Sequence, residues 1–218
     1  MHVHTLFSHC SISRPIDIIR RAAAIGLDGV GIMDHNETRG SDDATACAEH
    51  LKSAGEIPDH FIVIPGTEVG SRDGHICALF VSEKLPTGLN TEETVRVIHE
   101  AGGLALAPHP FHSTGINEAV YSAPFDAVEV ECGSVFGREL VRLNQRLASD
   151  SRLSAAAKLG ASDAHYIRAL GSCYTIVDAR EPTLGAVREA IEYRRCEAHS
   201  SAPCNRLRRL LGGVPKLK

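Results

Sequence analysis

Gly29-Val30-Gly31-Ile32-Met33-Asp34-His35-Asn36 carries the pattern that decides the fold: a short apolar run that stops on an acid and an imidazole. A strand covered on both faces reads as a continuous apolar run, not as an alternation. The pattern recurs in both directions along the chain. Phe61-Ile62-Val63-Ile64-Pro65 leads to Gly66-Thr67-Glu68, and Leu104-Ala105-Leu106-Ala107 ends at Pro108-His109-Pro110. Ala127-Val128-Glu129-Val130 ends at Glu131-Cys132-Gly133, and Leu159-Gly160-Ala161 leads into Ser162-Asp163-Ala164-His165. Residues 75–81 invert the order, with His75 first and the apolar run behind it. Residues 2–6 and 173–177 are the first and last candidate strands of the series.

Amphipathic stretches fill the gaps. Residues 15–25 read as a helix with Pro15 near its start and Gly26 at its end. Further helices are expected over residues 42–54, closed by Gly55, over 91–101, capped by Asn90 or Thr91, and over 138–153 and 183–194. Short strands alternating with helices make βα units and a mainly parallel arrangement. About seven such units favour an α/β barrel over an open doubly wound sheet, and no G-x-G-x-x-G follows the first strand. The expectation is one domain over 1–218, its core over about 1–180, with a C-terminal helix and basic tail over 181–218.

Composition excludes several classes. The chain has 218 residues, 43% hydrophobic and 23% charged, which suits one globular core rather than disorder. Its net charge of -4 exerts no general pull toward nucleic acid or anionic membrane. Only residues 194–218 are locally basic, with Arg206, Arg208 and Arg209 close together, as expected of a solvated face or tail. No run approaches the roughly 18 apolar residues of a membrane span, and the N-terminus lacks a secretory pattern, so a cytoplasmic protein is expected. Seven cysteines, odd in number and never spaced C-x-x-C, argue against a disulfide framework or a structural zinc knuckle.

Histidine is the outlier, with twelve residues. In a parallel αβ barrel the residues just past the strand ends converge on one mouth. Standing there are His2, His4 and His9, Asp34 and His35, Glu68, His109, and Asp163 with His165, while His75 opens its strand. On an extended backbone residues i and i+2 share a face, so His2 and His4 aim at one point, and Asp163 and His165 are expected to repeat the device. A buried carboxylate such as Glu68 needs a cationic partner. Imidazole with carboxylate suits zinc, manganese or iron, whereas calcium and magnesium prefer all-oxygen sites. His50, His60, His99, His112 and His199 read as ordinary histidines.

The ordered series H-V-H-T, I-M-D-H-N, P-G-T-E, G-H-I, P-H-P and S-D-A-H, from His2 to about Val177, resembles the polymerase and histidinol phosphatase (PHP) superfamily. Its members are similar to amidohydrolases and fold as distorted (β/α)7 TIM-like barrels. The resemblance implies two or three divalent ions, manganese, zinc or iron. His2, His4, Glu68 and Asp163 would hold one. Glu68 would bridge to a second, completed by His75 and His109. His9, His35 and His165 would hold a third. Asp34 matches the family's acid beside the second-strand histidine, expected to orient a ligand or transfer a proton. Two departures stand out. The Asp that members carry two residues before the first histidine falls outside this chain, so a group that orients a ligand is expected to be missing. Many relatives also have Asp where His9 stands.

The implied activity is hydrolysis of phosphate mono- or diesters by a metal-bridging hydroxide, on a small phosphorylated substrate such as a nucleotide or short oligonucleotide. No membrane and no obligate protein partner is expected. Arg138, after the 133–137 loop, is the first candidate to clamp phosphoryl oxygens and Arg39 the second. His35 or Asp34 would protonate the leaving group. The alternatives are a metal-dependent amide or lactone hydrolase, which turns the same hydroxide on carbon, and a non-catalytic PHP module. Every in-chain ligand position is filled, which weighs against the module.

Overall fold

The apolar runs form strands, but not all in one direction. The computed structural model describes residues 1–201; Arg206, Arg208 and Arg209 lie outside them. β1 (Gly29–Gly31) pairs in parallel with β2 (Ile62–Ile64). β3 (Gly66–Gly70), β4 (His75–Leu79), β5 (Leu104–Ala107), β6 (Ala127–Cys132) and β7 (Ala157–Ala161) make a five-stranded sheet in that order. The pairings β3–β4 and β4–β5 are antiparallel, and β5–β6 and β6–β7 are parallel. β8 (Cys173–Val177) pairs antiparallel with β9 (Cys196–Ser200).

The fold is α/β, as expected, but the described strands fall into three sheets rather than one continuous barrel ladder. Chain length explains the antiparallel start. Only residues 71–74 separate β3 from β4, far short of the dozen or so that a parallel crossover requires. The expected strand at residues 2–6 reduces to bridges from Val3 to Ile32 and to Ala164, both parallel. Thr5 explains the shortening: its backbone N–H is taken by the Asp34 carboxylate at 2.7 Å and leaves the ladder. The N-terminal segment is thereby threaded between the chain that leaves β1 and the chain that leaves β7.

The helices are α1 (Pro15–Ala24), α2 (Arg39–Ser53), α3 (Thr91–Glu100), α4 (Arg138–Arg146) and α5 (Leu184–Glu192). Helix α1 buries Ile18, Ile19 and Ala22 against Val30 and Ile32 and against Ala44, Ala48 and Leu51 of α2. Helix α3 starts on a reciprocal Asn90–Glu93 capping box and packs Val95 and Ile98 on Ile76, Ala105 and Val128. Each such buried aliphatic side chain contributes about 1.5–3 kcal/mol. The helix expected over 138–153 ends at Arg146, because Asp150 turns extended (ψ 117) and its carboxylate caps the Arg152 N–H instead. No described helix is long and apolar enough to cross a membrane.

Candidate metal centre

The N-terminal pair behaves as extended backbone requires. His2 and His4 flank the bridged Val3, and their Nε2 atoms meet at 3.0 Å. Their other nitrogens assign the tautomers. His2 donates from Nδ1 to Glu129 Oε1 at 3.0 Å, and His4 donates from Nδ1 to Ser8 Oγ at 3.2 Å. Ser8 Oγ in turn donates a hydrogen bond to Asp34 Oδ1 at 2.6 Å. With both Nδ1 atoms committed as donors, both Nε2 lone pairs face inward.

Carboxylates close the same space. Asp163 Oδ1 lies 3.1 Å from His4 Nε2 and 3.4 Å from His2 Nε2. Glu68 Oε2 stands 3.5 and 3.6 Å from the same two atoms. Acceptors so placed repel one another unless a cation stands among them. Metal–ligand bonds of about 2.0–2.2 Å put neighbouring ligand atoms roughly 3.0–3.6 Å apart in octahedral or tetrahedral shells. The donor set and its spacing therefore fit a divalent ion.

The electrostatics agree. Burial disfavours a charged His2, yet Cys77, Asp163, Glu68 and Glu129 around it raise its pKa well above the ordinary value. The lone pair that would take this proton is the one a metal ion would use. Glu68 and Asp163 also pay for burial, but the surrounding imidazoles hold both carboxyls well below the ordinary range.

Glu68 presents its two oxygens to different partners. Oε2 faces His2 and His4, and also His35 Nδ1 at 3.0 Å. Oε1 lies 3.1 Å from His75 Nδ1 and 3.3 Å from His109 Nε2, and it is buried without a hydrogen bond. The β3–β4 hairpin explains part of this. Its register sets Glu68 opposite Cys77, so His75, two residues before Cys77, shares their face. His109 follows β5 and Asp163 follows β7, and both have left-handed backbones (φ 29 and 46). Strain of this kind, about 1–3 kcal/mol each, persists where surrounding contacts impose it. At His109 one such contact is Glu129 Oε2, which accepts the His109 N–H at 3.0 Å.

The structure adds detail to two sequence expectations. Asp163 and His165 come together, Asp163 Oδ1 standing 3.6 Å from His165 Nδ1, while Asp163 turns left-handed and the ligand atom of His165 also groups with those of His4, Cys10 and His35. His9 is exposed with its ring 5.5 Å from that of His35, and it is Cys10, not His9, that stands in this grouping. Asp34 is fully buried and accepts from Thr5 N–H, Thr5 Oγ1 and Ser8 Oγ, so it anchors the loop that aims His4. Arg138 is exposed at the first residue of α4. Arg39 pairs with Glu37 at 2.7 Å and holds that carboxyl at about 2.

Glu129 is the functional residue that sequence reasoning passed over. It is fully buried in the middle of β6. A lone acid inside an apolar run was the available signal, since a buried carboxylate must find donors. Its Oε1 accepts from His2 Nδ1 at 3.0 Å and so orients that ring.

Comparisons with known proteins place this geometry. A family model described as PHP domain matches residues 1–158, and one described as PHP-associated matches residues 144–196. An uncharacterized protein of Methanocaldococcus jannaschii is 32% identical over 142 residues, 60% of this chain and 78% of that one. A Bacteroides vulgatus two-domain protein, described as containing a predicted PHP-like metal-dependent phosphoesterase, superposes with a TM-score of 0.67 at 22% identity. The match covers 91% of this chain and 63% of that one. The lesion-specific endonuclease Q of Pyrococcus furiosus superposes at 0.61 and 19% identity, over 88% of this chain and 55% of that one. The chain thus spans less than two thirds of either solved neighbour, and these likenesses concern the fold.

Proposed function

The chain belongs to the PHP domain family, and from that premise we propose that it is a metal-dependent phosphoesterase cleaving mono- or diesters of the nucleotide or short-oligonucleotide type. The observation that carries this is the pair of inward acceptors His2 Nε2 and His4 Nε2, each 3.0 to 3.6 Å from the other and from Glu68 Oε2 and Asp163 Oδ1. Bound by such residues, two or three manganese, zinc or iron ions bring the pKa of water toward neutrality and neutralise phosphoryl oxygens.

The chain's own residues divide the remaining work. His2, His4, Glu68 and Asp163 hold one ion, and Glu68 with His75 and His109 a second. His35 and His165 serve a third, for which His9 is the family-type partner. Among the described residues every ion pair of Glu68 and Asp163 is with a histidine. An anionic phosphate would meet repulsion from these acids, so the site accepts it only with cations in place. Asp34 orients: its two oxygens accept from Thr5 N–H, Thr5 Oγ1 and Ser8 Oγ, which ties it to the loop that carries His4. Of the two acids considered for the leaving group, His35 stands at the half-buried rim, but as a ligand with Nδ1 3.0 Å from Glu68 Oε2 it has no free nitrogen, so neither is assigned that proton. Arg138 is assigned to the phosphoryl oxygens. We read the three sheets as one distorted (β/α)7 barrel, supported by the double bridge of Val3 to Ile32 and Ala164.

Similarity to endonuclease Q, one structure of which holds a 27-mer duplex with an abasic lesion at the active site, supports the phosphodiester side of the proposal. The test is elemental analysis of protein purified without chelator, followed by parallel assays on nucleotides, dinucleotides, sugar phosphates and lactones. Phosphate-ester cleavage that chelation abolishes and manganese, zinc or iron restores is expected. Turnover of lactones alone would replace the proposal, and activity surviving exhaustive metal removal would contradict it.

A further inference from the structure

We propose that Cys10 contributes its sulfur to the ion held by His35 and His165, making the third position a mixed nitrogen–sulfur site. Ligand atoms of His4, Cys10, His35 and His165 all lie within 4.8 Å of one another. They come from three places far apart in sequence: the loop after His4, the segment after β1 and the segment after β7. The rings are tightly gathered, with centroid separations of 4.3 Å for His4–His165 and 4.6 Å for His4–His35.

The loop's own bonding aims the thiol. Ser8 N–H donates to Thr5 O and Ser11 N–H to Ser8 O, so the backbone turns twice in succession. Ser8 Oγ is tied to Asp34, and Ser11 Oγ donates to His4 O at 3.1 Å. Both serines are buried, and they pin the chain on either side of His9 and Cys10. The His9 ring stacks 5.5 Å from that of His35, while the Cys10 sulfur is the atom that groups with the histidine nitrogens.

Zinc–nitrogen bonds of about 2.0–2.1 Å and zinc–sulfur bonds of about 2.3 Å set ligand atoms roughly 3.3–3.6 Å apart in a tetrahedron. Separations within 4.8 Å therefore ask for at most about 1–1.5 Å of closure, which the exposed Cys10 and half-buried His165 can supply by rotamer adjustment. The chemical consequence is selectivity. A thiolate favours zinc, iron or cobalt over manganese or magnesium, whereas the two positions that share Glu68 offer only nitrogen and oxygen from the residues assigned to them. Different positions would then prefer different metals.

The inference rests on the reading that the cluster holds divalent ions, and the test keeps the two apart. The full chain is stripped, loaded with cobalt(II) and compared with Cys10→Ser and His9→Ala. Expected is a sulfur-to-cobalt charge-transfer band in the parent and in His9→Ala that is lost in Cys10→Ser while cobalt stays bound at the remaining positions. Alkylation of Cys10 by iodoacetamide, mapped by peptide mass, is expected to slow when cobalt is added. An undiminished band in Cys10→Ser, or alkylation at an unchanged rate, overturns the role of Cys10 alone. Failure of the parent to bind any cobalt overturns the cluster reading and this one with it.

Discussion

Replacing Glu129 by Gln probes how much the centre depends on a residue outside the expected ligand set. Each Glu129 oxygen accepts one hydrogen bond at 3.0 Å, from His2 Nδ1–H and from the His109 backbone N–H. Gln keeps one acceptor and exchanges the other for an NH2 group, so one buried donor must face another donor. A buried donor left unpaired costs about 1–3 kcal/mol. Loss of a group that orients a metal-bound histidine typically weakens metal affinity or activity by 10- to 100-fold, or roughly 1.4–2.8 kcal/mol at 1.4 kcal/mol per tenfold. The two routes agree in size. The assay is metal titration of stripped protein, parent against Glu129→Gln, with circular dichroism to establish that both are folded. A folded variant with parental affinity and parental turnover would refute the claim that Glu129 aims His2 and restrains His109.

Other consequences are tested as directly. Glu68→Ala should lower metal content at two positions and Asp163→Ala at one, each with loss of turnover; elemental analysis showing a full metal load in either would overturn the ligand assignment. Gly40→Ala should destabilise the fold by about 1–3 kcal/mol, since its Cβ would meet Asp34 Oδ2 at 1.9 Å and Thr5 Oγ1 at 2.6 Å; denaturant unfolding measures it, and an unchanged midpoint would contradict the packing. The pKa of His2 in stripped protein is raised above the ordinary 6.5, so its stabilising contribution is complete below about 6.5 and is lost as pH rises through the higher folded value. A metal ion competes for that same lone pair, so affinity should rise with pH across this window with release of protons, which calorimetry in buffers of different ionisation enthalpy reads. An affinity independent of pH there would be inconsistent with a proton held on His2.

What was legible from sequence follows from local rules. Apolar runs with an acid or imidazole at the end identify buried strands and their mouths, and the two-residue period of extended chain aims His2 and His4 at one point. Those rules need only neighbours a few residues away. They do not foresee departures from ideal backbone geometry, such as the left-handed turns at His109 and Asp163.

Tertiary structure alone decided the rest, because the interactions join distant segments. His2 and Glu129 lie 127 residues apart, and no spacing rule pairs them. Asp34 reads from sequence as an acid that orients a ligand or transfers a proton, and only folding shows Thr5 and Ser8 brought onto its oxygens. The proposed role of Cys10 in place of His9 rests on two loop turns held by buried serines. Residue types announce that cations are wanted; the packing of chain on chain determines which atoms are free to hold them, since a buried polar atom already bonded elsewhere has no lone pair left to offer.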